Sequence, residues 1–72
     1  MTGTNWDSRA ANLLKSELKR HGVTYAGLVE KLAAIGVEEK ETNVRNKLSR
    51  GTFTATYLIQ CLTAIGAREL RL

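Results

Sequence analysis

The stretch "TNVRNKLSRG", residues 42–51, carries two large apolar side chains, Val44 and Leu48, four positions apart. Around them stand Asn43, Arg45, Asn46, Lys47, Ser49 and Arg50. That spacing puts Val44 and Leu48 on one side of a short helix, and only that side can be buried. At about 100° per residue the opposite side presents Thr42, Asn46, Ser49 and Arg50, with Asn43 and Arg45 at its flanks. Lys47 lies nearer the core and has to snorkel to reach water. Gly51 supplies the left-handed residue that stops a helix. A short chain that gives one helix two core positions, and fills the rest with cations and amides, points to a use for the outward face.

The flanking sequence reads as three more helices. Thr4 and Asp7 fit a capping box, and Trp6, Ala10, Leu14 and Leu18 then repeat every four residues with Leu13 beside them. This predicts a helix over 5–21, with Trp6 as a lid on the core, Lys19, Arg20 and His21 in the last turn, and Gly22 as the stop. Thr24 caps a second helix over 25–35, with Val23 and Leu28 as a hydrophobic staple and Leu28, Val29, Leu32 and Ile35 as the buried face. Gly36 ends it. "VEEKE", residues 37–41, is either a loop or the ragged first turn of the third helix, for which Thr42 is the expected cap and 42–50 the expected span. Phe53, Thr54 and Leu58 repeat the staple and cap before a fourth helix over 55–65. There Leu58, Ile59, Leu62 and Ile65 form the expected core face, while Tyr57 and the neighbouring threonines point outward. Gly66 closes it. The last residues, "ARELRL" at 67–72, alternate at Leu70 and Leu72 in a way that suits either a short edge strand or a frayed tail.

"VTYAGLVEKLAAIG" at 23–36 and "FTATYLIQCLTAIG" at 53–66 echo each other at an offset of thirty. Helical arrays usually need three copies or more, and the segments between these two differ. The echo is one grammar used twice: staple, threonine cap, leucine stripe, glycine stop.

The totals fit one all-α domain spanning 1–72. The chain has 72 residues, no proline and a single cysteine, so it has no intramolecular disulfide. A domain of this size buries only ~60% of the surface its unfolded chain exposes, which leaves little room for an enzyme cleft. No basic segment followed by an apolar run opens the chain, and no apolar run approaches ~20 residues, so neither a signal peptide nor a membrane span is expected and the cytoplasm is the expected location. The net charge is +4. Residues 1–42 hold six basic and six acidic side chains. Residues 43–72 hold Arg45, Lys47, Arg50, Arg68 and Arg71 against Glu69 alone. The whole excess therefore begins at the opening stretch, and a one-sided basic excess points to a polyanionic partner.

Nothing in the chain carries the pattern of a catalytic or metal centre. No carboxylate pair, nucleophile–base pair or glycine-rich phosphate loop appears, so no enzymatic activity and no cofactor are expected. One cysteine and one histidine cannot supply zinc-ligand spacing. Cys61 falls on the Leu58–Leu62–Ile65 face as a small core hydrophobe. His21 sits where a cation complements the helix dipole.

Four short helices with glycine-ended connections, in this order, resemble a λ-repressor-like (XRE-type) helix-turn-helix domain, and more narrowly a bacterial group of short proteins with that fold. The resemblance spans roughly residues 8–67. It rests on "TYAGLVEKL" as the second helix, "GV" at the turn, "NVRNKLSRG" as the recognition helix and "FTATYLIQCLTAIG" as the helix behind it. The second helix and the turn are both longer than the family's pattern. The resemblance implies sequence-specific binding of double-stranded DNA and a role in transcriptional regulation, with the third helix in the major groove. The residue types agree. Arginine matches guanine N7 and O6, asparagine matches adenine N6 and N7, and small hydroxyls allow close approach to the backbone. Thr42, Asn43, Arg45, Asn46, Ser49 and Arg50 are thus the expected base-reading set. Thr24, Tyr25, Lys47 and Thr52 are the expected phosphate contacts, the first two at a helix N-terminus where this fold usually touches the backbone. The bland alternatives are a solvated polar face, a plain cap at Thr24 and a half-buried ring at Tyr25. Glu38, Glu39 and Glu41 stand just before the reading helix. Either they favour its positive end or they mark a different partner, and the second case makes the domain a small adaptor docking on an acidic protein surface. A homodimer is a further possibility, through the outer side of the fourth helix at Tyr57 or through Leu70 and Leu72.

Overall fold

The computed structural model describes residues 5–72, which form four α-helices and no strand. They are α1 (Trp6–Arg20), α2 (Tyr25–Ala34), α3 (Glu41–Arg50) and α4 (Ala55–Ile65). The cap expected at Thr4 lies outside the described residues. The N-cap of α1 is Asn5, whose Oδ1 accepts the Ser8 N–H at 3.1 Å. Asparagine is among the best N-cap residues, and this start leaves Asp7 in the first turn, where a carboxylate favours the dipole.

Thr24 and Thr54 cap α2 and α4 in the same way, accepting the Gly27 and Tyr57 N–H groups at 3.0 Å each. The helix ends repeat too. Gly36 donates to Ala33 and Val37 to Leu32, just as Gly66 donates to Thr63 and Ala67 to Leu62. This paired bond is the Schellman closure, and it requires a residue in the left-handed region, here glycine with φ of +86° and +81°.

The core is Leu14, Leu18, Leu28, Leu32, Val44, Leu48, Tyr57, Cys61 and Ile65, to which every helix contributes. α3 lies against α1 and α2, and α4 against α2 and α1. Val44 and Leu48 are fully buried, as their spacing predicts. Gly51, at the end of α3, packs directly on the first turn of α1, where a Cβ would fall inside the Asp7 carbonyl group.

Four apolar or aromatic assignments are corrected. Trp6 is 71% exposed and no lid on the core. A strict spacing of four precesses by about 40° per step, which carries Trp6 away from the face of Leu14 and Leu18. On α4 the buried stripe is Tyr57, Cys61 and Ile65, while Ile59 is 63% exposed. Tyr57, expected on the outer side, is instead a core residue, its ring 5.9 Å from that of Phe53. It therefore offers no dimer surface. Ile35 stands just past the end of α2 and is exposed rather than on the buried face. Glu17 goes the other way: it is buried on α1, with Arg20 donating to its carboxylate at 3.1 Å.

The terminal segment 67–72 forms no strand. It returns to α1, where Arg9 Nη2 donates to the Leu72 carbonyl oxygen at 2.6 Å. Among the described residues no helix is long and apolar enough to cross a membrane.

Candidate nucleic-acid interface

α3 begins one residue earlier than expected, and Thr42 is not its cap. The N-cap position is Lys40, with no side-chain capping bond. A carboxylate from the preceding connection serves this end instead. Glu39 Oε1 accepts the Lys40 N–H and Asn43 Nδ2, both at 3.2 Å, and its Oε2 accepts Lys47 Nζ at 2.9 Å. The Glu39 side chain is only 8% exposed. Burial alone would push its pKa up. The hydrogen bonds from Lys47, Lys40 and Asn43 and the charge of Lys47 outweigh burial and hold the carboxyl below its ordinary value. Of "VEEKE", residues 37–40 are thus a loop that supplies a buried carboxylate, Glu39, to the start of α3, and Glu41 is the helix's first residue.

Lys47 lies toward the core, as its place on the wheel suggests, but its ammonium, expected to snorkel to water, is held within the chain. Its ammonium lies 4.2 Å from the centre of the Tyr57 ring as well as on Glu39. One side chain thereby ties α3 to α4 and to the loop before it. Tyr57 Oη is buried with no hydrogen-bond partner among the described residues. Burial, with Cys61 and Glu39 nearby, raises its pKa far above the ordinary value. Burial likewise pushes the Cys61 thiol up to about 11, so it stays protonated and unreactive at neutral pH.

The outward side of α3 is open. Thr42, Asn43, Arg45, Asn46, Ser49 and Arg50 are all exposed. Two are held by acidic neighbours: Asn43 by Glu39, and Arg45 by Glu41, whose Oε2 accepts Arg45 Nη2 at 2.8 Å. The Arg45 guanidinium carbon also stands 5.8 Å from the centre of the Tyr25 ring. Among the described residues no side-chain hydrogen bond engages Thr42, Asn46, Ser49 or Arg50, or Thr52 in the loop beyond. Of the three cations on α3, therefore, Arg45 and Lys47 are paired within the chain and Arg50 is directed to solvent.

At the start of α2, Thr24 is exposed and Tyr25 half-buried. They border a shallow cleft of about 340 Å³ that Lys15 and Lys19 of α1 also line. These two lysines were not among the residues expected from sequence. The signal was available: they lie four apart on α1, on the polar side of a helix whose last turn leads directly into Thr24. Lys15, Lys19, Thr24, Tyr25 and Arg45 together join the N-terminus of α2 to the flank of α3. Among the described residues no group of three His, Cys, Asp or Glu side chains is placed to hold a metal ion.

No curated protein and no solved structure matches the chain. A family described as a domain of unknown function, DUF6471, matches over residues 6–70, from the first residue of α1 through most of the tail. The chain belongs to that family.

Proposed function

We propose that the domain binds duplex DNA as a helix-turn-helix protein of the λ-repressor-like kind, with α3 entering the major groove, and that it serves as a bacterial transcriptional regulator. The observation that carries this reading is the outward face of α3. Thr42, Asn46, Ser49 and Arg50 stand exposed together with no side-chain hydrogen bond among the described residues, on a helix anchored by Val44 and Leu48. Asn46 lies opposite the buried pair, at the centre of that face, and Arg50 one turn on. These are the side chains whose forks match adenine and guanine edges.

Phosphate contacts fall to either end of the reading helix. On one side are the first-turn N–H groups of α2, which have no intrahelical acceptor, with Thr24, Tyr25, Lys15 and Lys19 around them. On the other is Thr52, following Arg50 and Gly51. Lys47 drops out of this set, because its ammonium holds the fold together. Glu39 and Glu41 are turned onto the chain's own cations Lys47 and Arg45, which leaves Glu38 as the unpaired acid of the turn among the described residues and favours DNA over an adaptor docking on an acidic protein surface.

Selection of binding sites from a random duplex pool tests the reading. Wild type should return a short preferred sequence. Arg50→Ala and Asn46→Ala should keep the fold and relax the preference at one base pair each, by ~1–3 kcal/mol. Unchanged preferences in both variants would show that these residues do not read bases.

A further inference from the structure

The acidic residue in the first turn of α3 is placed to do more than favour the helix's positive end. Glu41 lies one turn before Arg45 on the same helix, and its carboxylate accepts the guanidinium at 2.8 Å. Tyr25, from the start of α2, flanks the same group. The Arg45 and Glu41 side chains are 55% and 45% exposed, so the pair sits at the rim of the proposed reading face, where a nucleic-acid backbone would pass.

We propose that Glu41 is a specificity-determining positioning residue: it occupies Arg45 as an intramolecular substitute for phosphate, so that non-specific duplex DNA gains little from this arginine. This deepens the DNA-binding reading and rests on it. The chemistry is a competition between anions. A single backbone phosphate offers Arg45 one charge, much as Glu41 already does, and Glu41 repels that phosphate as well. A guanine edge offers two neutral acceptors, N7 and O6, in the geometry of the guanidinium fork, and it meets no such repulsion. Arg45 held by one Nη group keeps donors free for that edge. Arg45 can therefore meet a base edge without leaving Glu41, whereas contact with the backbone sets a second anion against the carboxylate. An exposed pair of this kind is weak in stability terms. The effect belongs to discrimination between DNA sequences, where a few-fold is enough to matter.

Glu38 provides the control. It has the same charge three residues earlier, in the loop before α3, is exposed, and makes no side-chain hydrogen bond among the described residues. The test measures binding of wild type, Glu41→Gln and Glu38→Gln to a non-cognate duplex and to the selected site, across a salt series. Glu41→Gln should bind the non-cognate duplex several-fold more tightly, with a salt slope steeper by about 0.9, the increment for one added phosphate contact. Its preference for guanine at one position of the selected site should also flatten. Glu38→Gln should leave slope and preference as in wild type. Equal effects of the two variants would reduce the matter to net charge and overturn the inference, as would an unchanged slope in Glu41→Gln. If neither wild type nor Glu41→Gln binds any duplex at low salt, the DNA reading itself falls and takes this inference with it.

Discussion

Lys47→Met isolates the link between the loop, α3 and α4. Methionine keeps an apolar stem against the Tyr57 ring and removes the charge, leaving the Glu39 carboxylate in place. Removing one partner of a fully buried ion pair costs about 3–5 kcal/mol, because the other charge is stranded. Here Glu39 is 8% exposed but Lys47 is 41% exposed, so water screens the pair, and Glu39 keeps the Lys40 and Asn43 donors. A loss of about 2 kcal/mol is expected after that discount, with about 0.5 kcal/mol of it from the cation over the ring. Glu39→Gln should cost about 1 kcal/mol, and the double variant should fall short of the summed losses by about 1 kcal/mol. The assay is urea unfolding followed by circular dichroism at fixed pH.

The same cycle has a pH signature. The folded-state pKa of Glu39 lies below its ordinary value of 4.5. Its contribution is therefore present above the unfolded value and is lost as pH falls through the lower folded one. Wild type should shed this stability below about pH 4.5, and Glu39→Gln should lack that part of the acid limb. Additive losses in the cycle, within about 0.4 kcal/mol, would refute the coupling.

Gly51→Ala should cost more than 3 kcal/mol and leave the domain largely unfolded, since it combines left-handed strain with a clash against the Asp7 backbone that no rotamer relieves. Gly36→Ala, with open space around it, should cost only about 1 kcal/mol, and equal losses by urea midpoint would count against the α1–α3 contact. Tyr57→Phe removes a buried hydroxyl that has no partner and should be neutral or stabilising by up to about 1 kcal/mol. A clear destabilisation by the same assay would mean that the hydroxyl is bonded.

What could be read from sequence was local. Thr24 and Thr54 cap their helices because a cap needs only the next turn. Gly22, Gly36, Gly51 and Gly66 all adopt positive φ because each stop is set by its own helix end. Val44 and Leu48 face inward because nothing else on α3 is large and apolar. What could not be read depends on contacts between one element and another. Tyr57 is drawn into the core by Phe53 and by the ammonium of Lys47, and a tally of aliphatic residues prefers Ile59. The inward turn of Glu39 likewise needs Lys47, eight positions away. A run of glutamates before a helix looks like a solvated loop until its partners are known. Of the residues proposed for phosphate contact, Lys47 is held by the same partnership, and the approach of α1 to the start of α2 brings Lys15 and Lys19 beside Thr24 and Tyr25.

The central claim is best tested by measuring affinity for a random duplex pool between low and physiological salt. Lys15, Lys19 and Arg50 are the cations proposed to be available to phosphate, and Lys47 is held by Glu39. Binding should therefore weaken with salt, log K falling with log salt by about 2–3, at roughly 0.9 per phosphate neutralised. Lys47→Met, at a concentration and temperature where it stays folded, should keep that slope, while Lys15→Gln with Lys19→Gln should lower it by nearly 2. A flat salt dependence, or no binding to duplex DNA at low salt, would contradict the account.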